Sequence, residues 1–111
     1  MDDSETDGVR YELLLSGAAE QDTLSYRGSL QLGDQRYPLS VDVFCDGSGA
    51  DGLRVEASCP QAPERGRKAL ERTAGIMTRS AVRGARKHKL APPRRVRRWR
   101  PLPREMVSPA S

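Results

Sequence analysis

Residues 22–45, DTLSYRGSLQLGDQRYPLSVDVFC, read as two strands and the turn between them. Leu24, Tyr26, Leu30 and Leu32 fall at even positions, with Thr23, Ser25, Arg27, Ser29 and Gln31 between them. A half-buried strand requires that period of two, because successive side chains leave opposite faces. The pattern resumes in Tyr37, Leu39, Val41, Val43 and Cys45, alternating with Arg36, Pro38, Ser40 and Asp42; Phe44 breaks it near the end. Gly33 and Asp34, between the runs, tolerate the positive φ angles of a tight turn, so the segment predicts a β-hairpin.

Two further strands flank this hairpin. VRYELLLSGA (9–18) places Val9, Tyr11, Leu13 and Leu15 on one face, and GLRVEAS (52–58) does the same with Leu53, Val55 and Ala57. Chain order then predicts an antiparallel meander of about four strands. Pro38 complicates it: a residue without an amide hydrogen belongs at an edge or a bulge, which argues against an interior third strand.

Beyond PQAP (60–63) the alternation stops. Ala69, Leu70, Thr73, Ile76, Met77, Ser80 and Ala81 recur at helical spacing, predicting a helix from about 63 to 88. Pro63 suits its first position and Glu64 its first turn. Gly66, Gly75 and Gly84 weaken it, and its last two turns are expected to fray or to order on a partner. Ala91-Pro92-Pro93 forbids continuation, and RRVRRWRPLPREMVSPAS (94–111) has too few apolar residues for a core, so it reads as a polyproline-leaning disordered tail. The expected fold is α+β: a small meander packed against one C-terminal amphipathic helix. Residues 1–8 form an acidic flexible N-terminus, 9–88 the domain and 89–111 a basic tail.

Charge is distributed unevenly. Residues 1–60 hold 12 acids and 4 bases, a net −8, and residues 61–111 hold 15 bases and 3 acids, a net +12. No acid lies between Glu71 and Glu105, an interval with twelve lysines and arginines. Such asymmetry points to a polyanionic partner or a charged tail. A merely solvated helix face would mix both signs.

The chemistry of catalysis finds little support. The single histidine, His88, is embedded in RKHK with no neighbouring carboxylate to orient it, so no enzymatic role is expected. CDGSGADG (45–52) lacks the terminal glutamate of a calcium loop and the lysine of a phosphate loop. Cys45, Cys59 and one histidine fall short of four zinc ligands, so neither metal nor cofactor is expected. The two cysteines are expected as reduced, buried thiols. MDDSETDGVR has no basic start and no apolar stretch, and the longest aliphatic run is Leu13–Leu15. The expectation is therefore a cytoplasmic or nuclear protein that is not secreted and has no transmembrane segment.

The basic segment remains. Arg72, Arg79, Arg83, Arg86, Lys87, Lys89, Arg94, Arg95, Arg97, Arg98 and Arg100 are the candidate phosphate contacts, and Trp99 a candidate base-stacking residue. This predicts a non-enzymatic nucleic-acid-binding protein, RNA or ribonucleoprotein favoured. The alternative is a protein–protein adaptor or complex subunit that meets an acidic protein surface through a sheet edge and the basic Pro-rich tail. The small apolar supply makes a homodimer or host complex plausible.

Overall fold

The structure, a computed structural model, describes residues 8–16 and 22–102. The elements are β1 (Gly8–Leu15), β2 (Thr23–Leu32), β3 (Gln35–Ser48), β4 (Gly52–Ser58), α1 (Arg67–Lys87) and β5 (Arg95–Pro101). They form an α+β fold with one antiparallel sheet in the order β4-β3-β2-β1-β5. The four-strand meander is present, and its turn at Gly33–Asp34 joins Leu32 directly to its partner Gln35.

A fifth strand replaces the expected tail over Arg95–Pro101. It pairs antiparallel with β1, setting Leu13 opposite Val96, Tyr11 opposite Arg98 and Val9 opposite Arg100. Val96 supplies the apolar anchor, buried to 4% exposure beneath the helix side of the sheet. Composition alone concealed this strand because one buried side chain and a ready-made edge suffice to dock it. The helix is accordingly not the last element. Residues 1–7 and 103–111, the rest of the two expected tails, lie outside the described residues.

Pro38 sits in an interior strand after all, opposite Ser29 of β2. Pairing of β3 with β4 stops at Ser40 opposite Ser58, so no β4 residue faces Pro38. Its carbonyl points to that side and accepts the Cys59 Sγ–H at 3.0 Å. A residue's N and C=O leave a strand in the same direction, so the missing donor falls where the ladder has already ended.

The gap in the β2 pattern falls at Gly28, and it marks a close approach of two backbones. A Cβ there would come within 2.8 Å of the Leu13 Cα and nearer still to the Glu12 carbonyl oxygen. The sheet curls, and α1 packs on β4 and β3 yet also reaches β5, at the opposite edge.

The helix begins four residues later than expected. Gly66, at φ 81, breaks the helical run, so Pro63 and Glu64 precede it. The Arg67 guanidinium turns back to donate to the Ala62 carbonyl at 2.7 and 3.1 Å, and Glu71 Oε2 accepts the Cys59 N–H at 2.7 Å. These bonds seat the start of α1 against the end of β4. Its buried stripe is Leu70, Ala74, Met77, Thr78 and Val82, whereas Ile76 points out at 57% exposure. Thr78 tolerates burial because its hydroxyl donates to the Ala74 carbonyl at 2.8 Å. The helix runs unbroken through Gly75, which packs on Val55 and Ala57 of β4.

Cys59 is buried and Cys45 half-buried, both as free thiols. Burial pushes the Cys59 thiol up, with Glu71 adding to the effect. Two tyrosines cross the core with different fates. The Tyr26 hydroxyl donates to the Pro93 carbonyl at 2.6 Å and ties the α1–β5 connection to the sheet. The Tyr11 hydroxyl is buried with no partner among the described residues.

Tyr26→Phe should therefore cost about 1 kcal/mol in urea unfolding, while Tyr11→Phe should be neutral or stabilising, because it removes an unsatisfied group. Burial pushes both phenols from 10.0 up to about 12. The unfolded chain ionises them first, so stability should fall as the pH rises from about 10 toward 12, read by unfolding midpoints across that range.

Candidate nucleic-acid interface

The candidate cations divide by the element that carries them. Arg72, Arg79, Arg83, Arg86 and Lys87 lie on α1, Lys89 and Arg94 on the connection, and Arg95, Arg97, Arg98, Trp99 and Arg100 on β5. Arg86 and Lys87 occupy the last helical turn, where cations complement the partial negative charge of exposed carbonyls. The helix closes on His88 with a Schellman arrangement: Leu90 N–H donates to the Ala85 carbonyl at 2.8 Å and Lys89 N–H to the Arg86 carbonyl at 3.0 Å. Instead of fraying, the final turns are capped. Lys89 holds the left-handed position at φ 57, which normally falls to glycine, and the chain then turns toward β5.

From there two bonds fix the path. Leu15 N–H donates to the Arg94 carbonyl at 2.8 Å, and Tyr26 holds Pro93 as described. Arg94 and Arg95 are thus presented where β5 starts, both exposed.

The chain's own carboxylates take up only part of this charge. Asp51, in the β3–β4 turn, places Oδ2 3.5 Å from Arg79 Nε and 3.9 Å from Arg83 Nη1. The Arg79 contact is an ion pair without hydrogen-bond geometry, and Arg79 Nη2 donates separately to the Leu53 carbonyl at 3.0 Å. Glu12 lies 3.6 Å from Arg97. Asp46 and Glu56 are held by Arg54, which also stacks on Phe44 at 4.2 Å from the ring centroid. Among the described residues no carboxylate pairs with Arg72, Arg86, Lys87, Lys89, Arg94, Arg95, Arg98 or Arg100.

Register distributes the β5 side chains between the two faces. Arg98 and Arg100 share the helix side with Tyr11 and Val9, and Arg100 lies near enough to the Tyr11 hydroxyl to oppose part of its burial. Arg95, Arg97 and Trp99 share the outer face with Leu14, Glu12 and Arg10. Across β1, β2 and β3 the same register lines up Trp99, Arg10, Gln31 and Arg36 in one row and Arg97, Glu12 and Ser29 in the next. These side chains line a groove of about 410 Å³.

Arg10, Glu12, Ser29, Gln31 and Arg36 were not candidates from the sequence. Alternation assigned them to the wet face, but only the β1–β5 pairing brings Trp99 beside them. Among the described residues no three His, Cys, Asp or Glu side chains cluster as metal ligands, and no helix is long and apolar enough to cross a membrane. No protein-family model, curated protein or solved structure matches the chain.

Lys89→Gly should raise stability by up to about 1 kcal/mol, since glycine takes the left-handed conformation without Cβ strain. Chemical unfolding of the two proteins measures it.

Proposed function

We propose that this chain is a non-enzymatic nucleic-acid-binding protein, RNA favoured, that holds phosphates through the end of α1, the connection and β5. The observation that carries this reading is the run of exposed cations from Arg86 to Arg100, most of them without a carboxylate partner among the described residues. Phosphates recur along a nucleic-acid strand and release condensed counterions when neutralised, so a one-signed rail binds without reading sequence. β5 spans roughly 20 Å at the usual strand rise, enough for several successive phosphates.

The groove between α1 and β4 favours a second reading, that of an adaptor. Val55, Ala57 and Gly75 line it, Ile76 stands exposed at its rim, and its volume is about 230 Å³. A groove beside the β4 edge whose apolar residues are joined by Glu71, Arg72 and Arg79 suits an added peptide strand. Protein capture that survives removal of the β5 arginines, with no nucleic acid retained by the parent chain, would favour it.

Salt dependence tests the first reading. Replacing Arg94 and Arg95 with alanine should lower the magnitude of the slope of log affinity against log salt by about 1–2 units. Replacing Arg79 and Arg83, already committed to Asp51, should lower it by less than about 1 unit. A parent affinity indifferent to salt would refute the proposal.

A further inference from the structure

The geometry points to the outer-face groove as a seat for an unpaired nucleobase stacked on Trp99, so that the chain selects single-stranded over duplex nucleic acid. This deepens the reading above and rests on it. Phosphate contacts alone explain neither the position of Trp99 nor its surroundings.

Trp99 is the chain's single tryptophan, and it is 45% exposed on an edge strand. Its indole rests on the backbone of Gly8, where a Cβ would come within 2.5 Å of Cε2 and 2.6 Å of Cζ2. The absence of a side chain at Gly8 therefore seats the ring, and a ring already positioned loses little freedom on binding. Bases present a π-face to such a platform whatever their identity.

The neighbours supply what a nucleotide needs beyond the ring. Arg36 and Arg97 line the same groove and offer guanidinium groups to phosphates. Arg36 also donates to Gln31 Oε1 at 3.4 Å, while Gln31 Nε2 donates to the Gly33 carbonyl at 3.2 Å, which orients the amide. Glu12, the one carboxylate among the described lining residues, repels phosphate from the groove's centre and can accept from an exocyclic amino group. The row from Trp99 to Arg36 crosses three strand spacings, roughly 14 Å, a span of two or three nucleotides. In a duplex each base is already stacked and shielded by the backbone, so the groove meets phosphates only.

The test uses the full chain with an oligocytidylate RNA of about eight nucleotides and the guanylate–cytidylate duplex of the same length. With one tryptophan present, its emission reports Trp99 alone. The single strand should quench that emission, and Trp99→Ala should weaken single-strand affinity about 5- to 100-fold while changing duplex affinity less than about twofold. Trp99→Phe should keep most of the single-strand affinity. Equal losses on both probes, or parent binding with no quench, would overturn the stacking site while leaving the phosphate rail standing. Parent protein that binds neither probe would overturn both readings. If Trp99→Ala lowers the folded content by circular dichroism, the Trp99→Phe comparison and the parent quench decide.

Discussion

The antiparallel pairing of β5 with β1 is the constraint on which the rest of this molecule depends. β1 carries Tyr11 and Leu13 in the core. Without β5 it would leave an apolar strand with a bare hydrogen-bonding edge, the arrangement that invites uncontrolled association. β5 closes that edge with one buried residue, Val96, and five arginine or tryptophan side chains. The position of Val96 opposite Leu13 then fixes everything downstream. A slip by one residue would send Trp99 to the helix side and Arg98 outward.

The same pairing explains where the net charge ends up. Among the described residues, Glu12, Asp42, Asp46, Asp51 and Glu56 of the first half are spent locally, on Arg97, Arg27, Arg54, Arg79 and Arg83. Carboxylates and guanidinium groups therefore balance on the β3 and β4 side of the sheet. Among the described residues the surplus lies at the end of α1 and along β5. Among the described residues the paired carboxylates of β3, β4 and their turn stand apart from the unpaired cations of the α1 end and β5, which gives that part of the charge a direction. The Schellman turn at Lys89 and the Tyr26 bond to Pro93 matter for this reason: they aim the connection so that Arg94 and Arg95 arrive at the edge.

Much of the sheet was legible because period-two alternation is a strong local signal, and the strands from Val9 to Ser58 carry it. The hairpin at Gly33 needed no tertiary information. What escaped the sequence needed it in each case. Pro38 argued for an edge, yet the relevant fact was where β4 ends, which no local pattern encodes. The helix was read from Pro63, but a left-handed Gly66 and two backbone-directed side chains set its start. Ile76 fell on the expected apolar stripe because it continues the i+3/i+4 series of Ala69, Thr73 and Ser80; docking on β4 turned the neighbouring face, with Ala74 and Thr78, inward instead. β5 was missed because arginine-rich, proline-flanked composition resembles a solvated tail, and strand identity here is conferred by the partner. The cations themselves were visible, but the groove was not, since Arg10, Arg36 and Trp99 converge only through that strand.

Two mundane roles account for many of these cations. Arginines on an edge strand discourage further strand pairing, and cations in a last helical turn complement its carbonyls. Neither role accounts for Trp99. An exposed indole beside a free edge works against the protection that its arginine neighbours provide, since apolar surface at an edge promotes association. Nor is the ring there for the core, which lies on the opposite face with Val96. Its placement on the Gly8 backbone, among Arg97, Arg10 and Arg36, makes sense when a flat and charged partner covers it. On the proposed reading a strand of unpaired nucleotides is that partner, offering a π-face for the ring and phosphates for the guanidinium groups that flank it.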